Sequence, residues 1–432
     1  MKSIWYKDVK MPVFPQIHGD YKTDVLIIGG GFAGILTAYM LHKAGTPYIL
    51  VEKGRICNGT SGSTTAKITF QHGLIYGNLA KKYGTENARL YLEANKSAFK
   101  EYYDLCNNID CDFEVKNNYV YSTKNRKKLE DELEALHRIG YPAKFCEKTC
   151  LPVRTLGAVI FENQAQFHPL KFIKKISEGL NIYENTFVRE MIGTTAVTDF
   201  GKIRAEKVIV ATHFPFINKH GLYPLKLYQH RSYVVALKDA QKLNGMYVDE
   251  SKTGYSFRNY GDLMLLGGGD HRTGKDGGNW AELRKLAYDN YPHSSEVGFW
   301  ATQDCISLDE IPYIGNYSKS TPNLYVASGF NKWGITGSML AAMMLCDAVN
   351  EKENAFSALF SPSRNMLKPQ LLVNGYESIK NLLTVSEKRC PHLGCALKWN
   401  NAEHSWDCPC HGSRFDENGT VIDNPANGDL KI

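Results

Sequence analysis

The chain has 432 residues, of which 43% are hydrophobic and 22% are charged, and its formal net charge is +6. This length exceeds the about 250 to 300 residues that a single hydrophobic core supports, so we expect at least two domains. The near-average composition excludes a disordered chain, and without an apolar run of about 20 residues the sequence predicts no membrane span.

The first 24 residues contain no apolar run of signal-peptide length. This predicts a cytoplasmic protein with mostly reduced thiols. The densest basic run, KNRKKLEDELEALHR from Lys124, alternates with acidic residues at helical spacing. It therefore predicts a solvated helix, and we expect no nucleic-acid partner.

The segment TDVLIIGGGFAGILTAYMLHKAGTPYILVEKG, residues 23–54, has the pattern of a strand, a glycine turn, a helix and a second strand. Gly29, Gly31 and Gly34 give the GxGxxG spacing where the helix begins. In such a unit the glycines allow a tight turn, close approach of a pyrophosphate and close packing of helix on strand. The segment predicts a dinucleotide site at the helix N-terminus.

Glu52 ends the second predicted strand, where its carboxylate would accept hydrogen bonds from ribose hydroxyls. It would also repel a 2′-phosphate, so FAD or NAD fits better than NADP. The residues of the turn and of this strand alone do not decide between FAD and NAD.

A loop of small hydroxyl residues and glycine, NGTSGSTTAKITFQHG, follows from Asn58. It resembles the flavin-binding loop of the D-amino-acid oxidase and glycine oxidase family. Further similar segments occur in the same order: FHPLKF at 167–172, KVIVATHFPF at 207–216, WATQDCISLDEIPYIGN at 300–316 and NLYVASGFNKWGITGSMLAAMML at 323–345. Together they extend the resemblance over roughly residues 20 to 355.

The resemblance implies an α/β (α+β) Rossmann-like FAD domain with an interleaved mixed-sheet substrate domain. The FAD-binding parts would lie near residues 20–80, 150–213 and 300–355. The FAD-binding residues carried over from the family are Gly29, Gly31, Phe32, Ala33, Gly34, Glu52, Lys53, Thr60, Ser61, Thr65, Ala66, Val188, Ala211, Thr212, Gly329, Gly334, Ile335 and Thr336.

Gly329, Gly334 and Gly337 precede an apolar helix. The N-terminus of that helix would face the flavin N1/C2 carbonyl, where negative charge accumulates on reduction. The alternative is a plain glycine-rich turn before a core helix.

Six residues at family positions are candidates for the substrate site. Lys67 and His72 would lie close to the flavin, Tyr255 and Arg258 would clamp a carboxylate, and Lys332 with Trp333 would line the ring face. The alternatives are a structural ion pair for Arg258, a core histidine for His72 and core packing for Trp333. Cys305 lies where some relatives attach FAD, but its spacing departs from that motif, and we expect noncovalent FAD.

The last tenth of the chain has two mixed ligand pairs: Cys390-x-His392, and Cys408-x-x-His411 after a gap of fifteen residues. A Rieske 2Fe-2S cluster takes two thiolates on one iron and two imidazoles on the other. Structural zinc sites, the alternative, usually pair like ligands. The pattern therefore predicts a Rieske cluster bound by these four residues.

The segments CPHLGC and CPCHGS resemble the Rieske proteins of cytochrome bc complexes. That resemblance implies a disulfide between Cys395 and Cys410 and a hydrogen bond from Ser413 to the cluster. Phe415 stands where those proteins usually have a tyrosine. Without that donor we expect a lower reduction potential than in the bc-complex type.

We expect an oxidoreductase at residues 1–360, a linker at 361–385 and a small all-β Rieske module at 386–432. Only about thirty residues separate the end of the oxidase-like region, near Phe360, from Cys390. The base of the module would therefore be small and would rest on the flavoprotein body or on another subunit.

The expected function is oxidation of an amine or amino-acid-like donor, at CH–NH or CH–NH2, by hydride transfer to FAD. Electrons would leave through the cluster to a one-electron acceptor, for which a protein is a candidate. The alternatives are an oxygen-reducing oxidase with a structural Rieske module and a noncatalytic electron carrier.

Overall fold

The structure is a computed structural model, and it describes residues 2–251 and 254–430. The strands in this part of the chain are β1 (Tyr21–Ile28), β2 (Tyr48–Val51), β3 (Lys67–Ile68), β4 (Glu114–Tyr121), β5 (Lys144–Cys146), β6 (Ala158–Gln166), β7 (Ile182–Tyr183), β8 (Val188–Ile192), β9 (Thr195–Thr198), β10 (Gly201–Val210), β11 (Leu227–Lys238), β12 (Gly245–Asp249), β13 (Ser256–Tyr260), β14 (Leu263–Arg272), β15 (Ser295–Ser307), β16 (Tyr313–Asn316), β17 (Leu324–Ser328), β18 (Lys398–Asn400), β19 (Ser405–Asp407), β20 (Arg414–Phe415) and β21 (Val421–Asp423).

The helices of the described residues are α1 (Phe32–Lys43), α2 (Ile75–Tyr83), α3 (Thr85–Cys106), α4 (Arg126–Arg138), α5 (Pro169–Ile176), α6 (Tyr223–Lys226), α7 (Asn279–Asn290), α8 (Gly334–Val349), α9 (Ser357–Phe360) and α10 (Pro369–Leu383). None of them is long and apolar enough to cross a membrane.

The first sheet has the strand order β16-β17-β10-β1-β2-β7; β9 also pairs with β10, and β8 pairs with β9. Strand β1 pairs in parallel with β2 and β10, and β10 pairs in parallel with β17. Residues 25–28 are buried, as expected for a parallel strand covered on both faces. Helices α1 and α8 pack against each other beside this sheet. This is the expected Rossmann-like unit, assembled from segments far apart in the sequence.

The second sheet has the order β15-β11-β14-β13-β12-β4-β6-β3, and β5 pairs with β6. Most of its pairs are antiparallel, but β12 and β4 are parallel, so the sheet is mixed. Its strands alternate along the chain with those of the first sheet. The fold class is therefore confirmed. Strands β6 and β15 lie in this sheet although they fall in segments that we assigned to FAD binding, and the exact domain limits stay predictions.

The C-terminal sheet is small and antiparallel, in the order β18-β19-β20-β21. Helix α10 precedes it, and Arg389 and Ala396 form an isolated bridge beside the first cluster loop. This all-β region lies against the flavoprotein body. Asn424 donates to the carbonyl oxygens of Thr212 and Phe214, the latter over 2.7 Å. Arg272 donates to the carbonyl oxygen of Pro409 over 3.0 Å.

Candidate flavin and iron-sulfur site

The glycine turn after β1 is fixed by close backbone contacts. A Cβ atom at Gly29 would lie 2.4 Å from the carbonyl oxygen of Ala211, and Gly29 has a φ of +112°. A Cβ atom at Gly34 would lie 1.9 Å from the carbonyl oxygen of Gly29. Both positions therefore require glycine, and the turn leads directly into α1, as an anion site at a helix N-terminus requires.

The carboxylate of Glu52 lies at the end of β2 beside this turn. It accepts hydrogen bonds from the backbone N–H groups of Gly30, over 2.7 Å, and Gly54, over 2.9 Å. Burial raises the pKa of Glu52, and the two N–H groups oppose that rise. These contacts fix the carboxylate at the wall of a large cavity that begins at the glycine turn.

One cavity of about 720 Å³ extends from the glycine turn, between the two sheets, to the C-terminal module. Of the predicted FAD-binding residues, those that line it are Gly29, Gly31, Phe32, Ala33, Glu52, Lys53, Thr60, Ser61, Thr65, Val188, Ala211, Thr212, Gly334, Ile335 and Thr336. Gly34, Ala66 and Gly329 do not line the cavity. The volume and the glycine cradle fit a dinucleotide.

Helix α8 begins at the wall of this cavity. Its first residues, Gly334, Ile335 and Thr336, line the cavity, and the Thr336 hydroxyl donates to the carbonyl oxygen of Thr69 over 2.7 Å. Gly329, with a φ of +70°, lies in the turn that precedes the helix. The helix dipole therefore places partial positive charge at the cavity wall, where it would stabilise an anionic flavin.

Three of the six predicted substrate-site residues line the cavity: Lys67, Lys332 and Trp333. Lys67 is buried, and its Nζ donates to the Thr65 hydroxyl over 3.1 Å. Burial, with a smaller contribution from the charge of Arg258, lowers the pKa of Lys67 to about 7. The Lys332 ammonium pairs with Asp270.

His72 and Tyr255 do not line the cavity. His72 stacks on Trp333 with ring centroids 4.9 Å apart, and its nitrogens are hydrogen-bonded to the Tyr91 hydroxyl and the Thr69 carbonyl. Burial lowers the pKa of His72 to about 3, so the ring is neutral. The Tyr255 hydroxyl donates a hydrogen bond to the Glu282 carboxylate.

Arg258 is fully buried behind the flavin-binding loop. Its Nη1 donates to the carbonyl oxygens of Thr65, over 2.8 Å, and Ala66, over 2.6 Å. Its guanidinium also lies 5.5 Å from the Trp5 ring centroid. In this conformation Arg258 supports the loop from behind and does not form a pair with Tyr255 at the cavity. The substrate roles of the six residues stay predictions.

Three aspartates of the second sheet that the sequence did not identify as site residues line the same cavity: Asp249, Asp270 and Asp304. The Ser232 hydroxyl donates to Asp304 over 3.3 Å, and burial raises the pKa of Asp304 to about 6. Their signal in the sequence is weak, because each lies at or near the end of a strand and none belongs to a recognisable motif.

Cys305 also lines the cavity, and its sulfur lies 3.6 Å from the Ser328 hydroxyl oxygen. Burial raises its pKa to about 12. The thiolate is the nucleophile in any attachment to flavin, so this environment supports the prediction of noncovalent FAD.

The four predicted cluster ligands converge in two adjacent loops of the C-terminal module. Cys390, Cys408 and His411 are buried, and His392 is half-buried. The His392 and His411 ring centroids are 5.0 Å apart. In both rings Nδ1 is buried and lacks a hydrogen-bond partner among the described residues. Two thiols and two unpartnered imidazole nitrogens fit the ligand set of a Rieske cluster.

Cys395 and Cys410 form a disulfide that joins the two loops. The sulfurs of Cys395, Cys408 and Cys410 lie within 4.8 Å of one another. Because Cys395 and Cys410 are bonded to each other, Cys408 is the one free thiol of these three. The Ser413 hydroxyl accepts a hydrogen bond of 3.0 Å from the backbone N–H of Ala426, whereas Phe415 is buried and has no hydroxyl group to donate.

Two buried glutamines connect the cluster loop to the flavoprotein body. Gln303 Nε2 donates to the carbonyl oxygen of Gly412 over 2.8 Å, and Gln229 Nε2 donates to that of His411 over 2.7 Å. The backbone carbonyl of Gln303 accepts a hydrogen bond of 2.9 Å from Thr60 in the flavin-binding loop. Residues of the module also line the cavity: Val421, Ile422, Asp423, Asn424, Ala426 and Asn427.

Comparisons with known proteins agree with these two sites. The model of the FAD dependent oxidoreductase (DAO) family matches residues 24–348, and that of the Rieske 2Fe-2S domain matches residues 362–432. The chain therefore belongs to the DAO family of FAD-dependent oxidoreductases and carries a C-terminal Rieske domain. Its cofactors are FAD and a Rieske-type 2Fe-2S cluster.

Three similar proteins illustrate this arrangement. YhfW of Bacillus subtilis (strain 168), by its name a Rieske 2Fe-2S iron-sulfur protein, is 34% identical over 100% of this chain and 97% of its own. The cytochrome b6-f complex iron-sulfur subunit 2 of Trichormus variabilis is 51% identical over 10% of this chain and 24% of its own. The glycine oxidase structure from Geobacillus kaustophilus has a TM-score of 0.66 at 21% identity, over 80% of this chain and 99% of its own.

Proposed function

We propose that this oxidoreductase oxidises an amine or amino-acid-like substrate with FAD and delivers the electrons through its Rieske cluster to a one-electron acceptor. The observation that carries this proposal is the position of Gln303. Its carbonyl accepts from Thr60 in the flavin-binding loop, and its side chain donates to Gly412 in the cluster loop. A single residue therefore ties both cofactor loops together.

Bound FAD supplies a two-electron hydride acceptor, and the cluster supplies a one-electron carrier. The protein positions the donor carbon and excludes water. The wall formed by Trp333, with Ile335 and Phe330 beside it, is apolar and encloses the space next to the predicted flavin ring.

The charge of the cavity supports a cationic amine as the substrate. Asp249, Asp270 and Asp304 line the part formed by the second sheet, and of these Asp270 is paired with Lys332. In this part of the cavity the two other aspartates would attract an ammonium group. The similarity in fold to glycine oxidase is consistent with an amino group at the reacting carbon.

The test is anaerobic titration of the purified protein with a panel of amines and amino acids. Flavin absorbance and the cluster electron-spin signal are followed together. We expect the flavin to bleach first and the cluster to become reduced second.

The Cys408→Ala variant should still bleach its flavin but lose turnover with a bulky protein acceptor. If this variant turns over at the wild-type rate with that acceptor, the module is structural and an oxygen-reducing oxidase becomes the better assignment. If no amine or amino acid bleaches the flavin, the proposed substrate class is wrong.

A further inference from the structure

Helix α10, between the oxidase-like region and the cluster loops, has its polar and apolar faces reversed. Asn374 and Asn381 are buried. Asn374 donates to the carbonyl oxygen of Leu225 of the body over 3.1 Å, and the Asn381 carbonyl accepts from the backbone N–H of Ala396 of the module over 2.9 Å. A surface helix of a monomeric protein normally directs apolar residues inward. The outward face of the helix carries Leu372, Tyr376, Ile379, Leu382 and Leu383. Together with Leu393 of the first cluster loop these residues form what we call the apolar stripe, and each is more than 40% exposed.

The apolar stripe is continuous with the first cluster loop. The Arg389 guanidinium donates to the carbonyl oxygens of Leu382, over 3.1 Å, and Gly394, over 2.8 Å. Leu393 directly follows His392, the more exposed of the two histidine ligands. A partner that covers the stripe would therefore also lie against the cluster loop.

The rim of the stripe is basic. Residues 365–398 contain five lysines and arginines but two acids, and one of these acids, Glu377, pairs with Lys275. In the part of the chain that the structure describes, Lys380, Lys388 and Arg389 form no salt bridge. The rim therefore has uncompensated positive charge.

We propose that the apolar stripe with its basic rim is the docking surface for a small acidic protein that carries a one-electron redox centre. This inference rests on the proposed function, in which such a protein accepts the electrons. An apolar centre with a charged rim is typical of transient protein interfaces, and the charge favours an acidic partner. A second copy of the chain fits less well, because a two-fold contact would bring two basic rims together. Continuity with the cluster loop favours a redox protein over a lipid surface.

The experiment uses the complete protein with both cofactors, reduced with dithionite and freed of excess reductant. Oxidised plastocyanin, an acidic blue-copper protein, is the probe, and the loss of its blue absorbance is followed by stopped flow. A basic cytochrome c is the matched probe of opposite charge. We expect plastocyanin to react faster, with a rate that saturates and falls steeply with added salt.

Two variants test the two parts of the surface. Tyr376→Ser/Ile379→Ser/Leu383→Ser should weaken plastocyanin binding by about tenfold or more, since it removes the central apolar contacts. Lys380→Glu/Lys388→Glu should lower the association rate and reduce its salt dependence. Ile192→Ser is the matched control, because Ile192 and Ile379 are both 61% exposed but Ile192 lies on the flavoprotein body. The cluster electron-spin signal shows that each variant keeps its cluster.

Equal rates for the wild-type protein and the triple variant would overturn the proposal. So would a wild-type dimer that the triple variant abolishes in sedimentation, or wild-type binding to phosphatidylglycerol vesicles that the variant loses. Dithionite supplies the electrons in this experiment. Failure of amines to reduce the flavin would therefore count against the proposed function and leave the docking result unaffected.

Discussion

Arg231 of β11 and Glu403 of the Rieske domain form a buried ion pair between the flavoprotein body and the C-terminal module. Arg231 Nε lies 2.9 Å from Glu403 Oε1, and the two side chains are 4% and 10% exposed. Arg414 also pairs with Glu403, over 2.9 Å. Burial opposes ionisation of Glu403, but the two arginines outweigh it and lower the pKa of this carboxyl. The pair fixes the module on the body through charges that are largely buried.

Replacing Glu403 by Gln should therefore lower the free energy of unfolding by about 3 to 5 kcal/mol, because two arginines are left with less compensation in a buried site. Denaturant titration of the complete protein measures this. Asp289→Asn is the control, since the exposed Lys285–Asp289 pair should contribute at most about 1 kcal/mol. A loss of less than about 1 kcal/mol for Glu403→Gln would show that the pair is not needed for docking.

The Gln303 side chain should control electron transfer between the cofactors. Gln303→Met keeps the size of the side chain but loses its hydrogen bonds to Gly412 and Gln229. We expect reduction of the cluster after flavin bleaching to slow by about ten- to a hundredfold, because the flavin-binding loop and the cluster loop are no longer held in a fixed relative position. Flavin bleaching itself should be unchanged. The exposed Gln241→Met is the control, and an unchanged cluster-reduction rate in Gln303→Met would contradict the prediction.

The Glu52 carboxylate should contribute to FAD affinity through the ribose. Glu52→Ala should weaken FAD binding by about 1 to 3 kcal/mol, the usual effect of removing a charged hydrogen-bond partner. Fluorescence titration of the apoprotein with FAD gives the dissociation constant. Glu206→Ala, exposed on β10 of the same sheet, should leave it unchanged. Equal affinity in Glu52→Ala and wild type would mean that Glu52 does not contact the ribose.

The ionisation of Asp304 should appear in the pH dependence of amine binding. Burial raises its pKa to about 6, so Asp304 is neutral well below pH 6 and negatively charged above it. Binding of a cationic amine should therefore strengthen as the pH rises from about 5 to 7. Anaerobic flavin bleaching at each pH gives the apparent dissociation constant. Asp304→Asn should remove this step, whereas the exposed Asp262→Asn should keep it; a step that persists in Asp304→Asn belongs to another group.

The parts of the site that could be predicted from the sequence are those whose residues are close together in the chain. Gly29, Gly31 and Gly34 act within one turn, and the cluster ligands lie in two short loops, so their spacing carries the chemistry. The fold class followed from the same local patterns and from the order of the family-like segments.

The surroundings of the isolated side chains could not be predicted in this way. The guanidinium of Arg258 binds the carbonyl of Thr65, 193 residues away in the sequence, so its position depends on how the second sheet packs. The pairing of Lys332 with Asp270 and the convergence of the three aspartates of the second sheet also depend on long-range strand order. No local pattern distinguishes an acid that lines a cavity from an acid at the end of an exposed strand, because the residues next to them in the sequence are similar.

The contribution of residues 421–427 to the FAD cavity also bears on biosynthesis. The ribosome makes these residues about ninety positions after Thr336. At roughly 5 to 20 residues per second, the cavity stays open on that side for several seconds after the rest of its wall has been translated. The cavity can therefore enclose the flavin completely only near the end of synthesis, after the C-terminal Rieske domain has folded.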